Sequence, residues 1–144
     1  MAQTKITDAN LASSGTMPAW DGTSLTNLPY DISFIAGFNS STAPEDVIVQ
    51  VYGKMVMART GTFLGEAGYM ETVSAGSSVI VDVEKNGSTI YSTKPQFAVG
   101  NNTMTAGTLS TTAFASGDRI TFKITQIGSA TAGQGLQFML KCKV

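Results

Sequence analysis

The sequence has no histidine and a single cysteine, Cys142, among its 144 residues. Without an imidazole the usual general base near neutral pH is missing, and every Ser-His-Asp or Cys-His triad is excluded. One thiol cannot form an intrachain disulfide, and without histidine it cannot build a Cys/His zinc site. Charge is also scarce: charged residues make up 13%, nine Lys plus Arg stand against ten Asp plus Glu, and no block of one sign occurs. Nucleic acid is therefore a poor partner, because phosphate binding needs a basic patch that releases counterions. No stretch approaches the roughly 18 consecutive apolar residues of a membrane span. The opening Met1-Ala2-Gln3-Thr4-Lys5 lacks the apolar run of a secretory signal. The expectation is a chain made in a cytoplasm, with no membrane contact, no metal, no cofactor and no catalytic residue.

What the chain does have is hydroxyl: Ser and Thr together supply about a quarter of it. Such a surface suits strands and turns better than solvated helices. From Asp31 onward the apolar residues alternate. Ile32, Phe34, Ala36 and Phe38 share one face of an expected strand, and Val47, Val49, Val51, Gly53, Met55 and Met57 one face of the next. A third strand is expected over Thr62 to Thr72, with Gly61, Gly65 and Gly68 marking bulges or a bend. Val79, Val81 and Val83 run into Asn86-Gly87, a type I′ hairpin signal, and Thr89, Ile90 and Tyr91 return. Weaker strands are expected at Gln96 to Val99 and Thr103 to Thr112. Ser116-Gly117-Asp118 turns into Ile120, Phe122 and Ile124, and Leu136, Phe138, Leu140, Cys142 and Val144 alternate to the end. Seven to nine short strands, spaced by about 10 to 12 residues with turn signals between them, predict an all-β, antiparallel two-sheet sandwich over residues 31–144.

Residues 1–30 read differently. Breakers such as Gly15, Pro18, Gly22 and Pro29 preclude a long helix or a central strand, so this segment is expected to be an extended arm. It nevertheless carries Leu11, Trp20, Leu25, Leu28 and Tyr30, including the only tryptophan. Unstructured tails avoid such residues, whereas Trp and Tyr are preferred anchors of binding hot spots. These five are the expected partner-binding residues, with an arm folded back on its own sandwich, or a disordered arm, as the alternatives.

Other candidates take blander readings. Asp82 and Glu84 lie on one strand face and could pair as acid and base, but beside Lys85 they read as a solvated hairpin face. Asp8, Asn10, Asp21 and Asn27 do not match the spacing of the 12-residue calcium loop. The sequons at Asn39, Asn86 and Asn101 are those that abundant Ser and Thr produce by chance. Met55, Met57, Met70, Met104 and Met139 read as core filling with scattered exposure rather than as a binding surface.

Two regions, the arm and the sandwich, each carry stretches that resemble phage virion proteins. Asn10-Leu11-Ala12-Ser13-Ser14-Gly15-Thr16-Met17-Pro18-Ala19 and Asp21-Gly22-Thr23-Ser24-Leu25-Thr26-Asn27-Leu28-Pro29 are similar to phrases of tail-fibre and head-decoration proteins. Val83-Glu84-Lys85-Asn86-Gly87-Ser88-Thr89-Ile90 and Phe114-Ala115-Ser116-Gly117-Asp118-Arg119-Ile120 are similar to their small jelly-roll domains. The resemblance implies a jelly-roll-like sandwich and a homotrimer located in the virion. It also implies a major capsid protein or another virion protein as partner, bound through the arm as a capsid decoration or cement protein. A tail-fibre or receptor-binding tip that recognises a host glycan is the alternative it leaves open; a single arm and a single sandwich favour the decoration role.

Overall fold

A computed structural model describes residues 27–144, and among them there is no helix. The strands are β1 (Ile32–Ala36), β2 (Val51–Val56), β3 (Gly61–Thr72), β4 (Val79–Lys85), β5 (Ser88–Thr89), β6 (Tyr91–Thr93), β7 (Gln96–Phe97), β8 (Thr108–Leu109), β9 (Ala113–Phe114), β10 (Arg119–Gln126) and β11 (Gln134–Lys143). The first sheet has the order β1-β11-β3-β9 and the second β2-β10-β4-β5, with β7 also on β4; β6 and β8 form a small ribbon. Every pairing is antiparallel. Because β1, β3, β9 and β11 lie in one sheet while β2, β4 and β10 lie in the other, the main strands cross the sandwich from one to the next. This winding brings the first and last strands side by side, as in a jelly roll.

Alternation accounts for the core. Val79, Val81 and Val83 of β4, Ile120, Phe122 and Ile124 of β10, and Leu136, Phe138, Leu140 and Cys142 of β11 are all buried on facing sheets. The Phe122 ring stacks on Phe34 at 4.9 Å and meets Phe138 at 5.2 Å, so three strands converge on one aromatic centre. Gly53 permits this: a Cβ there would sit 2.8 Å from the Phe34 ring. Asn86 and Gly87 adopt φ of 53° and 90°, the two positive values the expected hairpin requires.

Two bulges change which residues face inward. Lys123 pairs with Val51 and Phe122 with Gly53, leaving Tyr52 unpaired. A one-residue slip reverses the faces, so Val49 and Val51 are exposed while Met55 and Met57 keep the core side. This corrects the uninterrupted alternation expected from Val47 to Met57. Val47 is still buried, held from a loop by its N–H donating to Gly133 O. The second bulge lies in β3, where Lys141 pairs with Gly65 and Cys142 with Phe63, so Leu64 is extra. Gly65 supplies the φ of 127° there. Phe63 and Glu66 consequently both point inward.

Backbone pairing starts ahead of β1. Leu28 N donates to Val144 O at 2.8 Å, Val144 N to Leu28 O at 2.9 Å, and Tyr30 N to Cys142 O at 2.9 Å. The end of the expected arm is thus a continuation of β1 along β11.

Candidate docking face

The outward side chains of the first sheet come from alternate positions of β1, β11 and β3. The registers Ile35↔Gln137↔Tyr69 and Ser33↔Met139↔Ala67 set two rows side by side across the three strands. Ile35 is 61% exposed, Tyr69 47% and Met139 43%, and together with Ala67 they line a shallow groove of about 600 Å³. Phe38 and Thr42 close one end. Their loop is fixed locally: Ser41 N and Ala43 N donate to Asn39 Oδ1 at 2.9 and 3.0 Å, and Thr42 takes φ of 61°. No charged side chain lines this groove. The methionines divide as packing dictates: Met57 and Met70 are buried, Met55 and Met104 lie partly against the core, and Met139 is exposed on the groove.

The second sheet presents the opposite chemistry. Asp82, read from sequence as solvent-facing, is 1% exposed. Lys94 Nζ lies 2.9 Å from its Oδ2 and Lys123 Nζ 3.9 Å, Thr89 Oγ1 donates to its Oδ1, and Lys123 also donates to Glu84. The hydrogen bond and charge of Glu84, with the charge of Asp82, hold the Lys123 ammonium above its ordinary pKa. Asp82 and Glu84 are therefore both paired with lysines on the outer face of the second sheet, Asp82 buried and Glu84 partly exposed.

A second buried carboxylate, Glu66, had no signal in the alternation apart from the glycine before it. Tyr91 Oη donates to its Oε2 at 3.1 Å and Gly107 N donates to its Oε1, fastening the Thr105 to Gly107 segment beside the β3 edge. Burial foremost, and then the Glu66 charge, push the Tyr91 phenol well above its usual range. Burial likewise pushes the Cys142 thiol up to about 12, with the Asp31 charge adding to it. A buried, protonated thiol is an inert core side chain. Among the described residues no group of three or more Cys, Asp and Glu is placed to hold a metal ion.

Of the five expected anchors, Leu11, Trp20 and Leu25 lie outside the described residues. Leu28 is largely exposed on the first sheet's margin, and Tyr30 is half-buried against its own core. Ile35, Ile48 and Val56 are exposed, while Ile80 is half-buried. The chain is thus an all-β sandwich whose first sheet carries an apolar groove beside Lys141 and Lys143, and whose second sheet carries ion pairs beside the exposed Val51 and Val56. No family model, curated protein or solved structure matches it.

Proposed function

We propose that this chain is a non-enzymatic structural protein of a phage particle, a capsid decoration or cement subunit that attaches to neighbouring shell proteins. The observation that carries the reading is the apolar face of the first sheet, which lies next to the strand margin from which the arm departs. Contiguous exposed apolar surface on a stable sandwich marks an interaction site. The arm adds Leu11, Trp20 and Leu25, side chains of the kind that dominate interfaces. Its trimeric assembly and its place in the virion rest on the resemblance of the arm and turn phrases, and the commitment of Asp82, Glu84 and Glu66 to internal partners supports a role without catalysis.

The test removes the arm without touching the sandwich. Leu28 and Tyr30 hydrogen-bond to β11, so the deletion ends ahead of Asn27. Parent protein, a variant lacking residues 1–26 and Trp20→Ala are each added to particles assembled without this component, and bound fractions are compared by sedimentation. Both variants are expected to stay folded and to lose most of their occupancy. Equal occupancy of all three overturns the arm's role in attachment.

A further inference from the structure

An asparagine followed by glycine is open to attack on its side chain by the next backbone nitrogen, because glycine has no Cβ to shield that nitrogen. The chain has one such pair, Asn86-Gly87, at the tip of the β4–β5 hairpin. Both residues are exposed, and a Cβ built on Gly87 would meet nothing within 4 Å. Water and base therefore reach the pair freely, and only the conformation of Asn86 stands in the way of reaction.

That conformation is held from the far side of the sheet. Asn86 Nδ2 donates to Asp118 Oδ1 at 2.7 Å, its Oδ1 accepts from Arg119 N at 2.9 Å, and its own N–H donates to Arg119 O at 2.8 Å. Asp118 is fixed in turn by Ala115 N, which donates to its other carboxylate oxygen at 2.8 Å. Both atoms of the carboxamide are thus tied to the turn that opens β10. Bringing Cγ onto the Gly87 nitrogen means giving up these bonds, because they aim the carboxamide away across the hairpin.

We propose that Asn86 is a site of spontaneous deamidation, held in check by the Asp118 clamp and released when the hairpin tip opens. Base removes the Gly87 amide proton and the nitrogen attacks Asn86 Cγ. The new N–Cγ bond forms as the Cγ–Nδ2 bond breaks, and Nδ2 takes a proton from water and leaves as ammonia. Water then opens the five-membered ring. Cleavage of the bond between the Gly87 nitrogen and Cγ leaves an aspartyl residue; cleavage at the main-chain carbonyl leaves an isoaspartyl residue, with one more carbon in the backbone. One water is consumed and one ammonia released, with no other reactant. Either product undoes the clamp. A carboxylate at position 86 cannot donate to Asp118 and faces it with like charge, and the longer backbone no longer fits the two-residue turn between Lys85 and Ser88.

The test incubates the full chain in mildly alkaline buffer and follows conversion at position 86 by peptide mapping, beside a free peptide spanning residues 84–89. Asp118→Ala removes both acceptors. Asp118→Asn, the milder variant, offers one acceptor and one donor and cannot hold Asn86 Nδ2 and Ala115 N together. Ile124→Val takes one buried methyl group from β10 opposite Val81, away from the tip, and controls for general loss of stability. Each variant is checked for native circular dichroism. The parent is expected to convert about tenfold or more slowly than the peptide, since reaction waits on local opening. Both Asp118 variants should convert severalfold faster than the parent, and Ile124→Val close to it. A parent as fast as the peptide overturns the proposal, as do folded Asp118 variants as slow as the parent. Equal acceleration by Ile124→Val assigns the protection to global stability and overturns it too.

Discussion

The outward faces of the two sheets solve the same problem in opposite ways. Each belongs to an antiparallel sheet whose other side is buried in the shared core. The second sheet carries an ionic lattice in which Asp82 and Glu84 of β4 face Lys123 of β10, and Lys94 reaches in from beyond β6. The first sheet carries Ile35, Ala67, Tyr69 and Met139 among its outward positions, with the uncharged Ser33 and Gln137 in the same rows and Lys141 and Lys143 only toward one end of β11. Cross-strand ion pairs hold a sheet together and keep it wet. Bare apolar side chains contribute little to the folded chain while exposed, and acquire value only when something covers them. The contrast separates a face whose side chains are already paired within the chain from one whose apolar side chains are left uncovered by the described residues.

The sharpest way to break that contrast is to disturb the ionic face. Asp82→Ala leaves Thr89 without its acceptor and two ammonium groups facing an empty site. The expected loss is about 1–3 kcal/mol, the cost of orphaning a buried polar group, softened because Lys94 and Lys123 retain some solvent. Urea unfolding with an unchanged m-value measures it. A loss below the error of the method would mean that Asp82 is a passenger and that the two faces do not differ in role.

A smaller effect should come from the clamp at the tip of the β4–β5 hairpin. Asn86 Nδ2 donates to Asp118 Oδ1 at 2.7 Å, Ala115 N donates to Asp118 Oδ2 at 2.8 Å, and Asn86 Oδ1 accepts from Arg119 N at 2.9 Å. The Ala115 N–H foremost, then the Asn86 amide and the Lys85 charge, hold the Asp118 carboxyl below its ordinary value. A depressed folded-state pKa means that the unfolded chain binds the proton more tightly. The stabilisation is therefore complete above the unfolded value of about 4 and is lost as pH falls through the lower, folded value. Asp118→Ala should be less stable than the parent at pH 7, with the gap narrowing as the solution is acidified below about pH 4. A gap that is constant across that window would show that the carboxylate's charge has no part in the clamp.

These predictions use contacts of very different legibility. The strands β4, β10 and β11 are plain in sequence because their alternation is unbroken and their turns carry Asn86-Gly87 and Ser116-Gly117-Asp118. The inward turn of Glu66 and the outward turn of Val51 are not, because each depends on a bulge that shifts parity by one residue; Gly65 hints at the first and nothing hints at the second. The burial of Asp82 depends on Lys123, far along the chain and brought opposite only by the β4–β10 register. The groove is harder still to read. Ile35, Tyr69 and Met139 come from three separate segments, and only the winding that sets β11 between β1 and β3 makes them neighbours. Composition pointed to the arm as the sticky element, whereas the surface beside it is a product of topology.

The smallest expected effect on folding belongs to the apolar face, and its smallness is the point. Tyr69→Ser combined with Met139→Ser removes two half-exposed side chains from a sheet whose core side is untouched. Substitutions of this kind ordinarily change stability by no more than about 0.5 kcal/mol. Tyr69 and Met139 lie on diagonal positions of β3 and β11, so a modest cross-strand contribution of about 0.2–1 kcal/mol can be lost between them. The expectation is an unfolding midpoint close to that of the parent, together with a marked loss of particle occupancy in the sedimentation assay. A double variant that destabilises the chain by more than Asp82→Ala would invert the comparison and mark the groove as part of the folding core. One that is neutral in both measurements would leave attachment to the arm alone. Only neutrality in folding joined to loss of attachment matches a face kept apolar for the sake of what covers it.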